Sequence, residues 1–386
     1  MTEKSKKPRL RFKGFTEAWE QRKLGDVAVK VTEKNTQNTI KETFTNSAEM
    51  GVISQRDFFD HDIAKADKID GYYIVQENDF IYNPRISAIA PCGPINRNKL
   101  GRKGVMSPLY TVFRTNNIDP LFLEWYFKSS CWYAYMYFNG DSGARSDRFS
   151  IKSELFFDMP IPSPNEGEQG RVGLLLETVN KLITLHQRKY DKFVAIKKAL
   201  LEKMFPRAGK SVPEIRFKGF TETWEQCKLG DSVEVCSGKD YKHLRSGDIP
   251  VYGTGGYMLS VNEALSYNQD AIGIGRKGTI DKPYVLNAPF WTVDTLFYAI
   301  LKKNNDLSFM FSIFQKVDWK SKDESTGVPS LSKNTINDVD IIIPILEEQS
   351  KIGSIFSSID NLITLHQRQL EKLKNIKSAL LEKMFV

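Results

Sequence analysis

Residues able to do covalent chemistry are sparse in this chain and poorly spaced for it. The four cysteines, Cys92, Cys131, Cys227 and Cys236, contain no C-x2-C pair, the spacing a structural zinc site favours. Only four histidines are present. Two of them, His186 and His366, sit inside identical LITLHQR heptapeptides, and no Ser-His-Asp arrangement suggests itself. YNPRI at 82–86 faintly resembles the NPPY-type motif of amino-methyltransferases. It has one proline followed by arginine, however, and no Gly-rich cofactor loop precedes it. GTGG at 253–256 and GIGRKG at 273–278 lack the GxxxxGK[ST] spacing that cradles nucleotide phosphates. No PD…(D/E)xK nuclease cluster stands out. The chain reads as non-catalytic.

The chemistry that remains is recognition. Between Phe80 and Ile118 there are six basic residues and no acidic one: Arg85, Arg97, Lys99, Arg102, Lys103 and Arg114. Arg145 and Arg148 follow in GDSGARSDR, and GRKGTIDKPY carries Arg276, Lys277, Lys282 and Tyr284. Tyr82, Lys242 and Tyr252 complete the candidate set. Arginine can grip guanine bidentately, lysine neutralises phosphate, and glycine lets the backbone come close to a base. A solvated basic loop without a partner has the same composition. Bulk charge does not decide between them. The net charge is +8, yet basic and acidic residues nearly balance within 27–149 and 232–330, where most of the candidates lie.

The elements that must position these residues are announced by a repeat. LITLHQRKYDKFVAIKKALLEKMF (182–205) matches LITLHQRQLEKLKNIKSALLEKMF (362–385) at 17 of 24 positions. PRLRFKGFTEAWEQRKLGD (8–26) matches PEIRFKGFTETWEQCKLGD (213–231) at 15 of 19. The offsets are 180 and 205, so the intervening regions, roughly 27–149 and 232–329, differ in length by 25 residues. This is a duplicated chain with pseudo-two-fold organisation rather than a solenoid, whose period is shorter. Each half is an opening segment, a variable region and a long helix.

From about Glu168 to Phe205 the pattern is helical and free of proline. Stepping by three and four through Val172, Leu175, Val179, Leu182, His186, Tyr190, Phe193, Ile196, Leu200 and Met204 predicts a heptad seam. The second copy repeats it through Ile352, Ile355, Ile359, Leu362, His366, Leu370, Leu373, Ile376, Leu380 and Met384. A helix of that length, about 57 Å, needs a partner, and the other copy is the obvious one. In an antiparallel pair His186 and His366 could face each other and set register. Two histidines without a carboxylate make a poor metal site.

Both variable regions mix strand-like runs with glycine turns, and they read as divergent copies of one α+β domain. NDFIYNPR (78–85) is laid over QDAIGIGR (269–276), matching Asp79 with Asp270 and Arg85 with Arg276. LFLEWYFKSSCWYAYMYF (121–138) is expected to form a buried helix, and LSFMFSIFQK resembles its first part. The charged N-terminus has no signal-peptide h-region, and no apolar run of membrane-spanning length occurs. Scattered cysteines suit a reducing compartment. A cytoplasmic protein is expected.

This layout resembles the specificity (S) subunit of type I restriction–modification enzymes. The matching pieces are FKGFTEAWEQRKLGD and FKGFTETWEQCKLGD, the helix starts IPSPNEGEQGRVG and IIPILEEQSKIG, and the two LITLHQR…ALLEKMF helices. The resemblance spans essentially the whole chain. It implies an opening segment with target-recognition domain 1 (1–165), a central helix (166–206), an opening segment with target-recognition domain 2 (207–346) and a C-terminal helix (347–386). Each domain would read half of a split site in double-stranded DNA. The helices would form an antiparallel coiled coil that sets the spacing. Constant surfaces would dock two modification (methyltransferase) subunits, with restriction/translocase subunits completing the complex. S-adenosylmethionine, ATP and Mg would belong to those partners, and this chain would bind no cofactor, metal or membrane. Rival readings are a stand-alone DNA-binding regulator and a protein-interaction adaptor.

Overall fold

The computed structural model describes residues 7–58, 69–141, 147–207 and 209–386. The chain divides into two compact units, Met1–Leu185 with Gln369–Val386, and His186–Arg368. The division falls inside both long helices. Half of each helix is built into the core of each unit.

Unit 1 is centred on a four-stranded antiparallel sheet in the order Ala28–Lys30, Thr111–Thr115, Phe80–Tyr82, Ile95–Arg97. Unit 2 has Val233–Ser237, Leu296–Leu301, Ala271–Gly275, Tyr284–Leu286 in the same order and sense. Two divergent sequences thus build one α+β plan. A hairpin accompanies each sheet: Phe44–Ser47 with Gly51–Ser54, and Ser246–Gly253 with Gly256–Val261. The repeated opening segments each end in a strand, Glu20–Lys23 or Glu225–Lys228. These pair antiparallel with Pro160–Ser163 and Asp340–Ile343, just before the long helices.

The sheet register corrects the alignment by one residue. Phe80 and Tyr82 enter the main core of unit 1, and their counterparts in unit 2 are Ile272 and Ile274. Matching Asp79 with Asp270 would put each inward side chain opposite an outward one, since side chains alternate along a strand. Arg85 therefore corresponds to Lys277, and Pro84 to Arg276.

The expected single helix over 121–138 is two. Pro120–Lys128 is capped by Asp119, whose side chain accepts from the Leu121 and Phe122 amides, and it is buried along most of its length. Ser129 ends it, its hydroxyl turning back to the Tyr126 carbonyl at 2.6 Å. Tyr133–Asn139 follows, with only Met136 fully buried. An unbroken apolar run does not reveal such a cap.

The long helices run Glu166–Lys203 and Leu346–Lys383. Each opens with an acidic residue and a glutamine that hold the fold together. Glu168, fully buried, accepts both Arg11 guanidinium bonds (2.6 and 2.8 Å) and the Trp19 indole (3.0 Å). Glu348, equally buried, accepts Arg216 twice at 2.8 Å. Negative charge at a helix N-terminus is also favoured by the backbone dipoles. Gln169 and Gln349 receive the Asp119 and Asp306 amides at 2.8 and 3.1 Å. One turn on, a Cβ at Gly353 would collide with Asp306 and the Phe309 amide, so only glycine lets the helices approach there.

The inward stripe differs from the expected seam. It passes through Val172, Leu176, Val179, Ile183, His186, Tyr190, Phe193, Lys197, Leu200 and Met204, all buried or half-buried. Its second copy is Ile352, Phe356, Ile359, Ile363, His366, Leu370, Leu373, Lys377, Leu380 and Met384. These steps alternate four and three without a break, the heptad rhythm. Leu182 and Leu362 fall outside it, at 39% and 36% exposed. Choosing the nearest leucine in LLL and LIT misplaced the stripe by one residue. Within unit 2 the helices lie antiparallel: His186 Nδ1 meets His366 Nδ1 at 2.9 Å, while Lys197 bonds Asp360. Phe193 stacks on His366 with ring centroids 5.7 Å apart. Within unit 1 the equivalent of the ion pair is Lys377 to Asn180, at 2.7 Å.

Each helix ends as a plug. Phe205 packs on Trp224 and Phe309, at 6.0 and 5.3 Å between centroids. Phe385 packs on Trp19 and Phe122, at 6.5 and 5.5 Å. Matching backbone bonds, Leu10 N to Lys383 O and Ile215 N to Lys203 O, both 2.9 Å, tie the helix ends to the opening segments. The last helix thus closes back onto the first opening segment.

Candidate nucleic-acid interface

Charge neutralised inside the fold is not available to a partner, and this sorts the basic candidates. In unit 1, Arg114 grips the fully buried Asp79 carboxylate with two bonds of 2.7 and 2.9 Å. Arg97 and Lys99 share Glu124, at 2.7 and 3.0 Å. Arg102 reaches Glu42 at 3.1 Å from an otherwise exposed position. The acid-free window from 80 to 118 was misleading, because Asp79, Glu124 and Glu42 come from outside it. Tyr82 is a core residue, 3% exposed. It stacks on Phe156 at 4.8 Å and donates its hydroxyl to the Cys92 carbonyl at 3.0 Å. A base contact by Tyr82 is excluded in this fold. Lys103 is exposed. Arg145 lies outside the described residues.

Arg85 and Arg148 are both exposed, and the fold brings them together as an antiparallel bridge. Flanking bonds hold it: Phe149 N to Pro84 O at 2.8 Å and Ile86 N to Asp147 O at 3.0 Å. Beside Arg85 lies a cleft of about 270 Å³ whose lining includes Asn46, Asn83 and Tyr110. Unit 2 repeats the bridge with Lys277 and Ser330. Leu331 N bonds Arg276 O at 3.0 Å and Gly278 N bonds Pro329 O at 2.8 Å. The same strand end thus presents Arg85 and Arg148 in one unit and Lys277 in the other.

The remaining candidates of unit 2 divide similarly. Arg276 is exposed, its guanidinium lying over the Phe297 ring at 5.7 Å and reaching the Asp294 carbonyl at 3.4 Å. Lys242 and Lys282 are exposed. Tyr284 donates its hydroxyl to the Gly253 carbonyl at 2.6 Å and is half-buried, and burial pushes its phenol pKa upward. Tyr252 meets it at 6.1 Å between ring centroids. These tyrosines clamp the hairpin tip rather than standing free. Unit 1 makes the same clamp with amides: Asn96 bonds Asn46 at 2.6 Å and the Ser47 carbonyl at 3.0 Å, and Lys128 closes on Asn96.

Sequence reasoning missed Tyr137 and Phe138, exposed at 56% and 86%, because they lay in a run taken as buried. Among the described residues, no group of three or more His, Cys, Asp or Glu side chains could hold a metal ion, and no helix is long and apolar enough to cross a membrane.

The family model of the type I restriction modification DNA specificity domain matches residues 221–375. The specificity subunit of type I restriction enzyme MjaVIII of Methanocaldococcus jannaschii is 22% identical over 332 residues, covering 73% of each chain. A putative MjaX specificity subunit of the same organism is 22% identical over 292 residues, covering 69% of this chain and 67% of its own. Among solved structures, a type I restriction–modification S subunit from M. genitalium superposes with a TM-score of 0.71 at 16% identity, over 98% of this chain and 99% of its own. That likeness speaks for the fold, and the sequence matches speak for kinship. Residues 221–375 match the type I restriction modification DNA specificity domain, and the chain as a whole is similar to specificity subunits of type I restriction enzymes.

Proposed function

We propose that this chain is the DNA sequence-recognition subunit of a type I restriction–modification complex. Each unit reads one half of a bipartite target in double-stranded DNA. The long helices act as an antiparallel coiled coil that sets the half-site spacing, and the repeated surfaces dock two modification subunits. Restriction/translocase subunits complete the assembly in the cytoplasm. Catalysis, with its S-adenosylmethionine, ATP and Mg, resides in those partners, and this chain binds none of them.

The observation that carries the reading is the shared bridge. Two units of one plan expose basic side chains at one strand end, Arg85 and Arg148 against Lys277, while their surroundings differ. A common frame with divergent faces suits two different half-sites. Basic side chains without internal carboxylates suit phosphate and base edges.

The test is to co-express the chain with a candidate modification subunit in a methylation-free host and map methylated adenines by long-read sequencing. A bipartite motif that disappears without this chain is the expected result. A soluble complex that leaves no motif would favour an adaptor. Tight specific binding by the chain alone would favour a stand-alone regulator.

A further inference from the structure

The helix Tyr133–Asn139 presents the most exposed large hydrophobic side chain among the described residues, Phe138 at 86%, next to Tyr137 at 56%. The helix is anchored without them. Met136 is fully buried, and the Tyr135 hydroxyl donates to the Leu155 carbonyl at 2.8 Å. Two large rings left in water on one short helix lower stability, and such exposed apolar patches mark interaction sites.

Their surroundings indicate what covers them. Tyr137 packs edge-on against Phe149, with centroids 6.0 Å apart. Phe149 is the residue after Arg148, and its amide bonds Pro84 O beside Arg85. The chain leaving the helix pairs Asp141 with Ser150, holding the aromatic ledge against the basic bridge. Ile89, 59% exposed, lies on the neighbouring turn in which Ser87 and Ala90 exchange backbone bonds. Arg85 and Arg148 have no carboxylate partner among the described residues. A ledge bordered by two unneutralised guanidinium groups complements a polyanion with flat, stackable faces. An apolar protein surface would leave those charges without a counterpart.

Among the described residues, unit 2 has no aromatic helix at the equivalent place. Trp132 and Trp319 occupy equivalent places, each donating its indole N–H to the carbonyl five residues back (Phe127 at 3.2 Å, Phe314 at 2.7 Å). After Trp132 comes the aromatic helix; Trp319 instead opens a short 3-10 turn carrying Lys320 and Lys322. Among the described residues, the aromatic helix belongs to unit 1.

We propose that Phe138, supported by Tyr137, is a stacking wedge that inserts against the bases of the duplex held by Arg85 and Arg148, and so shapes one half of the target. The proposal rests on the recognition reading above. Apolar side chains inserted at base steps unstack and kink DNA, and an aromatic ring on a base contributes to affinity with little regard to sequence.

The experiment uses the full chain with its modification subunit in the methylation-free host. If the unaltered chain produces no motif, the recognition reading itself fails before any variant is compared. Given a motif, Phe138→Ala is expected to lower the methylated fraction at limiting expression by about tenfold, the scale of one lost base stack. The change should fall in one half of the motif, the half opposite to that altered by Lys277→Ala. Phe138→Trp should retain activity. On a duplex carrying the mapped motif with 2-aminopurine in that half, the unaltered complex should raise fluorescence by unstacking the base, and Phe138→Ala should not. An unchanged methylation map and unchanged fluorescence in Phe138→Ala would overturn the wedge. So would loss of co-purification with the modification subunit, which would make the ledge a protein-docking patch.

Discussion

Arg85 and Arg114 lie in the same acid-free stretch of sequence and carry the same side chain, yet the fold gives them opposite roles. Arg114 neutralises a carboxylate that has no access to water, whereas Arg85 faces solvent beside Arg148. Arg114→Ala would strand the Asp79 charge, and it is expected to cost about 2–3 kcal/mol, seen as a lower Tm. Arg85→Ala and Lys277→Ala should change stability by less than about 0.5 kcal/mol. Each should instead reduce the salt dependence of DNA affinity of the assembled complex, lowering the log–log slope by about one. Anisotropy titrations across a salt series on the mapped duplex measure this. A Tm loss in Arg85→Ala comparable to that of Arg114→Ala would place Arg85 in the fold rather than at the interface.

At the level of elements, the long helices carry polar residues at corresponding points of their inward stripes, and these predict how the pairing responds to pH and charge. His366 is held below its ordinary pKa of 6.5, first by burial and then by His186 and Lys189. The folded state therefore takes up this proton less readily than the unfolded chain. Stability is intact at neutral pH and falls as pH drops from about 6.5 through the folded value. The 2.9 Å contact needs an unprotonated Nδ1 on one ring to accept from the other. Helix melts followed by circular dichroism from pH 8 to pH 5 should show this acid limb in the native chain. His186→Leu with His366→Leu should flatten it, and an unchanged limb would assign the sensitivity elsewhere. The other polar pair is asymmetric: Lys197 has Asp360, whereas Lys377 bonds Asn180 and lies over the Trp125 ring at 4.9 Å, and burial lowers the Lys377 pKa. Asn180→Asp supplies the missing charge and should stabilise unit 1 by about 0.5–1 kcal/mol in a thermal melt.

For the molecule as a whole, the consequence of the duplicated plan is that each unit is completed by the helix of the other repeat. Phe205, which ends the first repeat, fills the core around Trp224, and Phe385, which ends the second, fills the core around Trp19. Phe385→Ala should weaken unit 1 by about 3–5 kcal/mol, the cost of emptying a packed aromatic site, while unit 2 keeps its protection. Phe205→Ala should do the reverse. Hydrogen exchange resolved by peptide distinguishes the two, and loss of protection around Trp224 in Phe385→Ala would contradict the pairing.

The repeat, the α+β class of the domains and the two long helices were legible in the amino-acid sequence, because each rests on local pattern or on identity between two stretches of one chain. The facing histidines were legible as well, since equal offsets place them symmetrically. Three things needed the tertiary structure. The inward stripe runs through Leu176, Ile183 and Lys197 rather than Leu175, Leu182 and Ile196, and adjacent apolar residues cannot show which one faces a partner. Tyr82 and Tyr284 prove to be internal supports, because a tyrosine suits a core clamp as well as a base. Most decisively, which arginines and lysines remain free depends on carboxylates distant in sequence, such as Glu42 for Arg102 and Glu124 for Arg97. Periodicity and composition are properties of neighbours along the chain. Charge neutralisation and burial are properties of neighbours in space, and only the folded arrangement decides those.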